Sequence, residues 1–184
     1  MLHNIPNIIS VFRILLVIPV IYLIWKNNWE VAFLLVLLAG VSDGLDGFLA
    51  RTFHWESELG ATLDPMADKI LLIAIFIVLG LKGIIPQWFV VLVVIRDAII
   101  IAGLLLYTLM TDEMKIKTLF ISKLNTALLI IFVLLHLSNL AMFSFPELIF
   151  NILIVMIVIT TIVSGALYVI LWIHHFIKYR EDKV

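Results

Sequence analysis

Residues 43–69 read DGLDGFLARTFHWESELGATLDPMADK, and long apolar runs flank them on both sides. Four aspartates fall in this stretch: Asp43, Asp46, Asp64 and Asp68. An ionised carboxylate near the centre of a bilayer costs about 2.5–3.5 kcal/mol on insertion scales. Unpaired in a dry interior it costs far more or takes up a proton. Four such groups so close together need a shared cationic partner. A bound divalent metal ion, and with it a reaction site, is the simplest candidate.

The surroundings explain why the acids stand out. Of 184 residues, 64% are hydrophobic, and the mean hydropathy is +1.23. Soluble domains are about 45–50% apolar. Apolar runs of about 20 residues recur, each able to cross about 30 Å of hydrocarbon. The expected fold is all-α: a polytopic membrane protein with six transmembrane helices. The spans are expected at about 7–25, 30–51, 60–81, 86–107, 118–140 and 146–174. Pro19 predicts a kink in the first, and Pro86 suits the first turn of the fourth. One membrane domain over 1–184 accounts for the length, with no linker or internal repeat. Cysteine is absent, which excludes disulfides and thiolate metal sites. The net charge of −1 identifies no partner, and no nucleic-acid partner is expected.

Orientation follows from Lys and Arg. With a cytoplasmic N-terminus, the inner loops and tail hold Arg51, Lys115, Lys117, Lys178, Arg180 and Lys183. The outer loops then hold only Lys26 and Lys82. Both termini are therefore expected inside. The second span then ends, and the third begins, at the cytoplasmic face, where the four acids meet. Met1–Asn4 lacks a basic n-region, so the first span is expected to be retained rather than cleaved. The absence of a targeting presequence favours a bacterial inner membrane.

Asp43, Asp46, Gly47 and Ala50 follow i, i+3, i+4, i+7 spacing and share a helix face. Asp64 and Asp68 are i, i+4 on the next helix. Two antiparallel helices joined by a short loop can turn these faces toward each other. Hard oxygen donors suit Mg²⁺ or Mn²⁺. Four carboxylates suffice for two ions about 3.5–4 Å apart, the arrangement used for in-line displacement at phosphorus. Gly44, Gly47, Ala50 and Gly60 leave room for a close helix or ligand.

The stretch resembles the signature of the CDP-alcohol phosphatidyltransferases, D-x2-D-G-x2-A-R-x8-G-x3-D-x3-D, at every fixed position and every spacing. The resemblance implies that Asp43, Asp46, Asp64 and Asp68 bind metal. It implies that Asp68 is also the catalytic base, and that Gly47, Ala50, Arg51 and Gly60 form the pocket for the cytidine diphosphate group. The implied reaction is attack by an alcohol on the lipid-side phosphate of CDP-diacylglycerol, with CMP leaving. A homodimer in the lipid bilayer is a further implication, with Mg²⁺ or Mn²⁺, two ions, as cofactor.

Three further stretches bear on the acceptor alcohol: Asn4–Asn7 with Arg13, Ile95-Arg96-Asp97, and Ser122-Lys123-Leu124-Asn125-Thr126. They resemble the branch making phosphatidylglycerol phosphate and cardiolipin. The last run is closer to the cardiolipin synthase side, where the acceptor is phosphatidylglycerol. Glycerol 3-phosphate is the alternative acceptor. Either carries a phosphate, and Arg13, Arg96 and Lys123 are the candidates to bind it.

Bland readings stand beside these. The acids could pair with Arg51, Lys69 and Arg96. Arg96 could serve a helix–helix contact, and Lys123 could snorkel to the interface. Ser122, Asn125 and Thr126 read as hydrogen-bonding glue between helices. Trp25, Trp29, Trp55, Trp88 and Trp172 read as interfacial belts. From another class, a cation or proton transporter also carries intramembrane acids. Transporter sites, however, tend to lie at the midplane between repeats.

Overall fold

The computed structural model describes the backbone of residues 5–53, 58–111 and 119–181, and the side chains of 13–42, 69–103 and 119–173. Six helices follow in order: α1 Ile5–Trp25, α2 Trp29–Phe53, α3 Glu58–Leu81, α4 Gln87–Thr111, α5 Phe120–Ala141 and α6 Glu147–Glu181. There is no strand among the described residues. Each helix covers one expected apolar run, and α6 extends well past the expected end at 174.

Local chemistry sets the boundaries. At the end of α1, Asn27 adopts φ +60°. Asn28 N–H donates to Leu23 O at 2.9 Å and Asn27 N–H to Ile24 O at 3.1 Å, the paired bonds of a Schellman cap. α3 ends the same way around Gly83, φ +70°, with Ile84 N–H donating to Leu79 O and Gly83 N–H to Gly80 O, both at 3.0 Å. Pro86 sits one position earlier than expected. Its carbonyl accepts from Phe89 N–H at 3.1 Å and Val90 N–H at 3.3 Å, so it caps α4 rather than opening its first turn. α1 runs through Pro19 as one helix.

The chain packs as two compact units, Met1–Ile85 with Ile130–Pro146, and Pro86–Leu129 with Glu147–Val184. In the first, α1 lies against α2 and α3. Val20, Ile24, Ala32, Ile75, Leu79 and Leu137 are buried there. Phe76 and Phe132 stack with ring centroids 5.8 Å apart. In the second, α4 packs on α6. Phe89, Val93, Leu129 and Ile157 form its core. α5 gives residues up to Leu129 to the second unit and those from Ile130 to the first.

α5 and Glu147–Ile173 of α6 are long and apolar enough to cross a membrane, with only 33% and 28% of their apolar windows buried in protein. A core helix of a soluble protein would be mostly covered; here Phe120, Leu148, Ile152, Ile159 and Ile170 stand exposed. The chain is accordingly a membrane-associated helical protein. The apolar described stretches of the first three helices, Arg13–Trp25, Trp29–Ser42 and Lys69–Leu81, are shorter.

Candidate active site

The acid signature lies where α2 runs out and α3 begins. α2, ending at Phe53, carries Asp43, Asp46, Gly47, Ala50 and Arg51; α3, starting at Glu58, carries Gly60, Asp64 and Asp68. Helical backbone runs through all eight positions, so the i, i+3, i+4, i+7 and i, i+4 registers hold. Their side chains lie outside the described residues. Among the described residues no group of three or more His, Asp or Glu fits a metal ion. The four signature acids would supply hard carboxylate oxygens, a donor chemistry that suits Mg²⁺ or Mn²⁺.

A cavity of about 290 Å³ opens in the same unit, with walls from α1, α2, α3 and the second half of α5. Arg13, only 3% exposed, is the one charged residue among its described lining residues. The described lining includes Val41 on α2 and Leu71 on α3.

Arg96 and Asp97 are both buried in the second unit. The Arg96 Nη1 donates to Asp97 Oδ1 at 2.5 Å, Nη2 to Ser122 Oγ at 2.6 Å and Nε to Ser164 Oγ at 3.0 Å. One guanidinium thus joins α4, α5 and α6. Asn125, fully buried, accepts from Thr160 Oγ1 at 2.8 Å and Thr161 Oγ1 at 3.0 Å. Leu119 N–H donates to Tyr168 Oη at 3.3 Å. These contacts form a polar ladder along α5 and α6, with one rung per turn. Ser122 and Asn125 are interhelical partners as expected, but Thr126 donates to Ser122 O at 3.1 Å within its own helix. Lys123 is exposed.

The α6 side of the ladder was not singled out from sequence. Thr160, Thr161, Ser164 and Tyr168 recur at helical spacing in an apolar run, a signal that was available. Trp172 corrects an expectation: it is buried, not interfacial. Gly103 explains why, because a Cβ there would lie 2.5 Å from the indole Cε2 and Nε1. Trp25 and Trp88 are exposed as belt residues should be, and Trp55 lies outside the described residues.

Lys82 is also engaged. Its Nζ donates to Ile24 O at 2.9 Å, Trp25 O at 3.0 Å and Asn27 Oδ1 at 2.5 Å, and lies 4.9 Å from the Trp29 ring centroid. It satisfies terminal carbonyls of α1, where the helix dipole favours a cation.

Comparison with known proteins agrees with this layout. The family model described as CDP-alcohol phosphatidyltransferase matches residues 3–173. A rat (Rattus norvegicus) protein named cardiolipin synthase (CMP-forming) is 36% identical over 146 residues, covering 71% of this chain and 48% of its own length. A Cereibacter sphaeroides protein named CDP-diacylglycerol–glycerol-3-phosphate 3-phosphatidyltransferase is 39% identical over 109 residues, covering 55% of this chain and 48% of its own. The chain spans about half the length of these curated relatives. With the family model matched along nearly its whole length and the signature unbroken, the chain belongs to the CDP-alcohol phosphatidyltransferase family.

Proposed function

We propose that this protein transfers a phosphatidyl group from CDP-diacylglycerol to a glycerol-type alcohol, releasing CMP, in anionic phospholipid synthesis. The observation that carries the reading is the complete acid signature on the adjoining ends of α2 and α3. Asp43, Asp46, Asp64 and Asp68 would hold two Mg²⁺ or Mn²⁺ ions, which neutralise the pyrophosphate and the charge that develops on it. Gly47, Ala50, Arg51 and Gly60 seat the cytidine diphosphate. Asp68 takes the proton from the acceptor hydroxyl. The freed oxygen bonds to the lipid-side phosphorus, the bond from that phosphorus to the bridging oxygen breaks, and CMP leaves with the electron pair.

Phosphatidylglycerol is the acceptor we favour, making the protein a cardiolipin synthase. Asp97 and Ser122–Thr126 support this, as does the name of the rat relative. The name of the Cereibacter relative supports glycerol 3-phosphate as the second reading. Arg13, Arg96 and Lys123 are the proposed phosphate contacts of the acceptor. Arg96 has two guanidinium N–H groups beyond the three used in its described bonds. Six spans with both termini and the site cytoplasmic, one domain, a homodimer and a bacterial inner membrane complete the proposal.

The test uses purified protein with CDP-diacylglycerol, Mg²⁺ or Mn²⁺, and each acceptor separately. CMP and cardiolipin only with phosphatidylglycerol support the favoured acceptor. CMP and phosphatidylglycerol phosphate only with glycerol 3-phosphate overturn it and keep the chemistry. Asp68→Asn is expected to lose at least 100-fold in CMP release, the low end for removing a general base. Persistent turnover in that variant removes Asp68 from the role of base. An acid-dependent ion flux without CMP release would favour the transporter.

A further inference from the structure

Leu119 stands at the head of α5 without the chemistry of a cap. Its carbonyl accepts from Ser122 N–H at 3.0 Å and Lys123 N–H at 3.3 Å, so the helix starts from it. Ser, Thr, Asp and Asn are preferred at such a position, because a side-chain oxygen answers the first free N–H groups. Leucine has none. In a capping box, the N–H of the start residue is taken by the side chain three positions on. Here that residue is Ser122, and its Oγ already accepts from Arg96 Nη2 at 2.6 Å. Leu119 N–H donates instead to Tyr168 Oη at 3.3 Å, 49 positions along the chain on α6. Tyr168 is only 4% exposed, so close packing leaves its ring little freedom to follow a shift of that turn.

The start of α5 is therefore set from outside the helix. Its first turn carries Lys123 and Ser122, and Ser122 holds Arg96. Leu119, Tyr168 and Arg96 all belong to one compact unit. We propose that Tyr168 is a positioning residue for acceptor binding: by holding Leu119 N–H it fixes the first turn of α5, and through that turn Arg96 and Lys123. The inference rests on the phosphatidyl-transfer reading above, in which those two cations contact the acceptor phosphate.

Tyr168→Phe deletes the hydroxyl and keeps the ring. With CDP-diacylglycerol and whichever acceptor releases CMP, it is expected to raise the acceptor KM about threefold to tenfold, the worth of one neutral hydrogen bond, with donor KM and kcat held within about twofold. Amide exchange at Leu119–Lys123 is expected to quicken in the same variant. Adding Leu119→Ser to Tyr168→Phe gives α5 a cap of its own, and is expected to bring the acceptor KM back toward the parent value. Unchanged exchange overturns the anchor. Quicker exchange with an unchanged acceptor KM overturns the positioning role. So does a rise in both KM values with a fall in kcat, because general loss of structure does not choose between substrates. A parent chain that releases no CMP with either acceptor fails the transfer reading, and the role of Tyr168 falls with it. An active parent with an unaltered variant fails that role alone.

Discussion

Arg96 shows how much one buried residue can hold. Its guanidinium bonds Asp97, Ser122 and Ser164 on three helices. Lysine keeps the charge but not the planar fork. Arg96→Lys is expected to lower stability by about 2–3 kcal/mol, since hydrogen bonds to charged groups are worth about 1.5–3 each. Ser164→Ala is expected to cost about 1 kcal/mol, both read as thermal unfolding in detergent. If Arg96 also binds the acceptor phosphate, Arg96→Lys raises the acceptor KM, whereas Ser164→Ala leaves it nearly unchanged. Gly103 carries a steric prediction. Gly103→Ala puts a methyl 2.5 Å from the Trp172 indole and is expected to cost about 1–3 kcal/mol. Trp172→Leu in the same chain should cost less there than in the Gly103 background, because contacting residues are not additive. The sequence placed Trp172 in a belt because it stands near the end of a span. Its glycine partner is 69 positions away, and no local pattern announces that pairing.

Helices were the most legible level. Apolar runs of about 20 residues located all six, with Pro86 marking the start of the fourth, because hydrophobic length and turn chemistry act locally. What was missed required a second helix. Ser122 and Asn125 looked like glue, yet their partners Arg96, Thr160 and Thr161 emerge only once α4, α5 and α6 are assembled. The acid signature was legible as a family pattern, since its spacing alone carries it. Lys82 belongs to this scale too. It was counted as an outer-loop charge, and it turns out to end α1 by binding its last carbonyls. Lys82→Met is expected to destabilise the α1–α2 turn, with faster amide exchange at Lys26–Trp29 and α4 exchange unaffected.

At the scale of the molecule, the two units alternate along the chain: first, second, first, second. Neither can be excised by a single cut. During synthesis, Phe76 emerges long before Phe132, the ring it stacks on, and the whole of α4 is made in between. The first unit is therefore finished only after residue 146 is made, and the second only after α6 follows. A nascent chain stopped after α3 leaves bare the Phe76 ring, which the finished chain covers with Phe132.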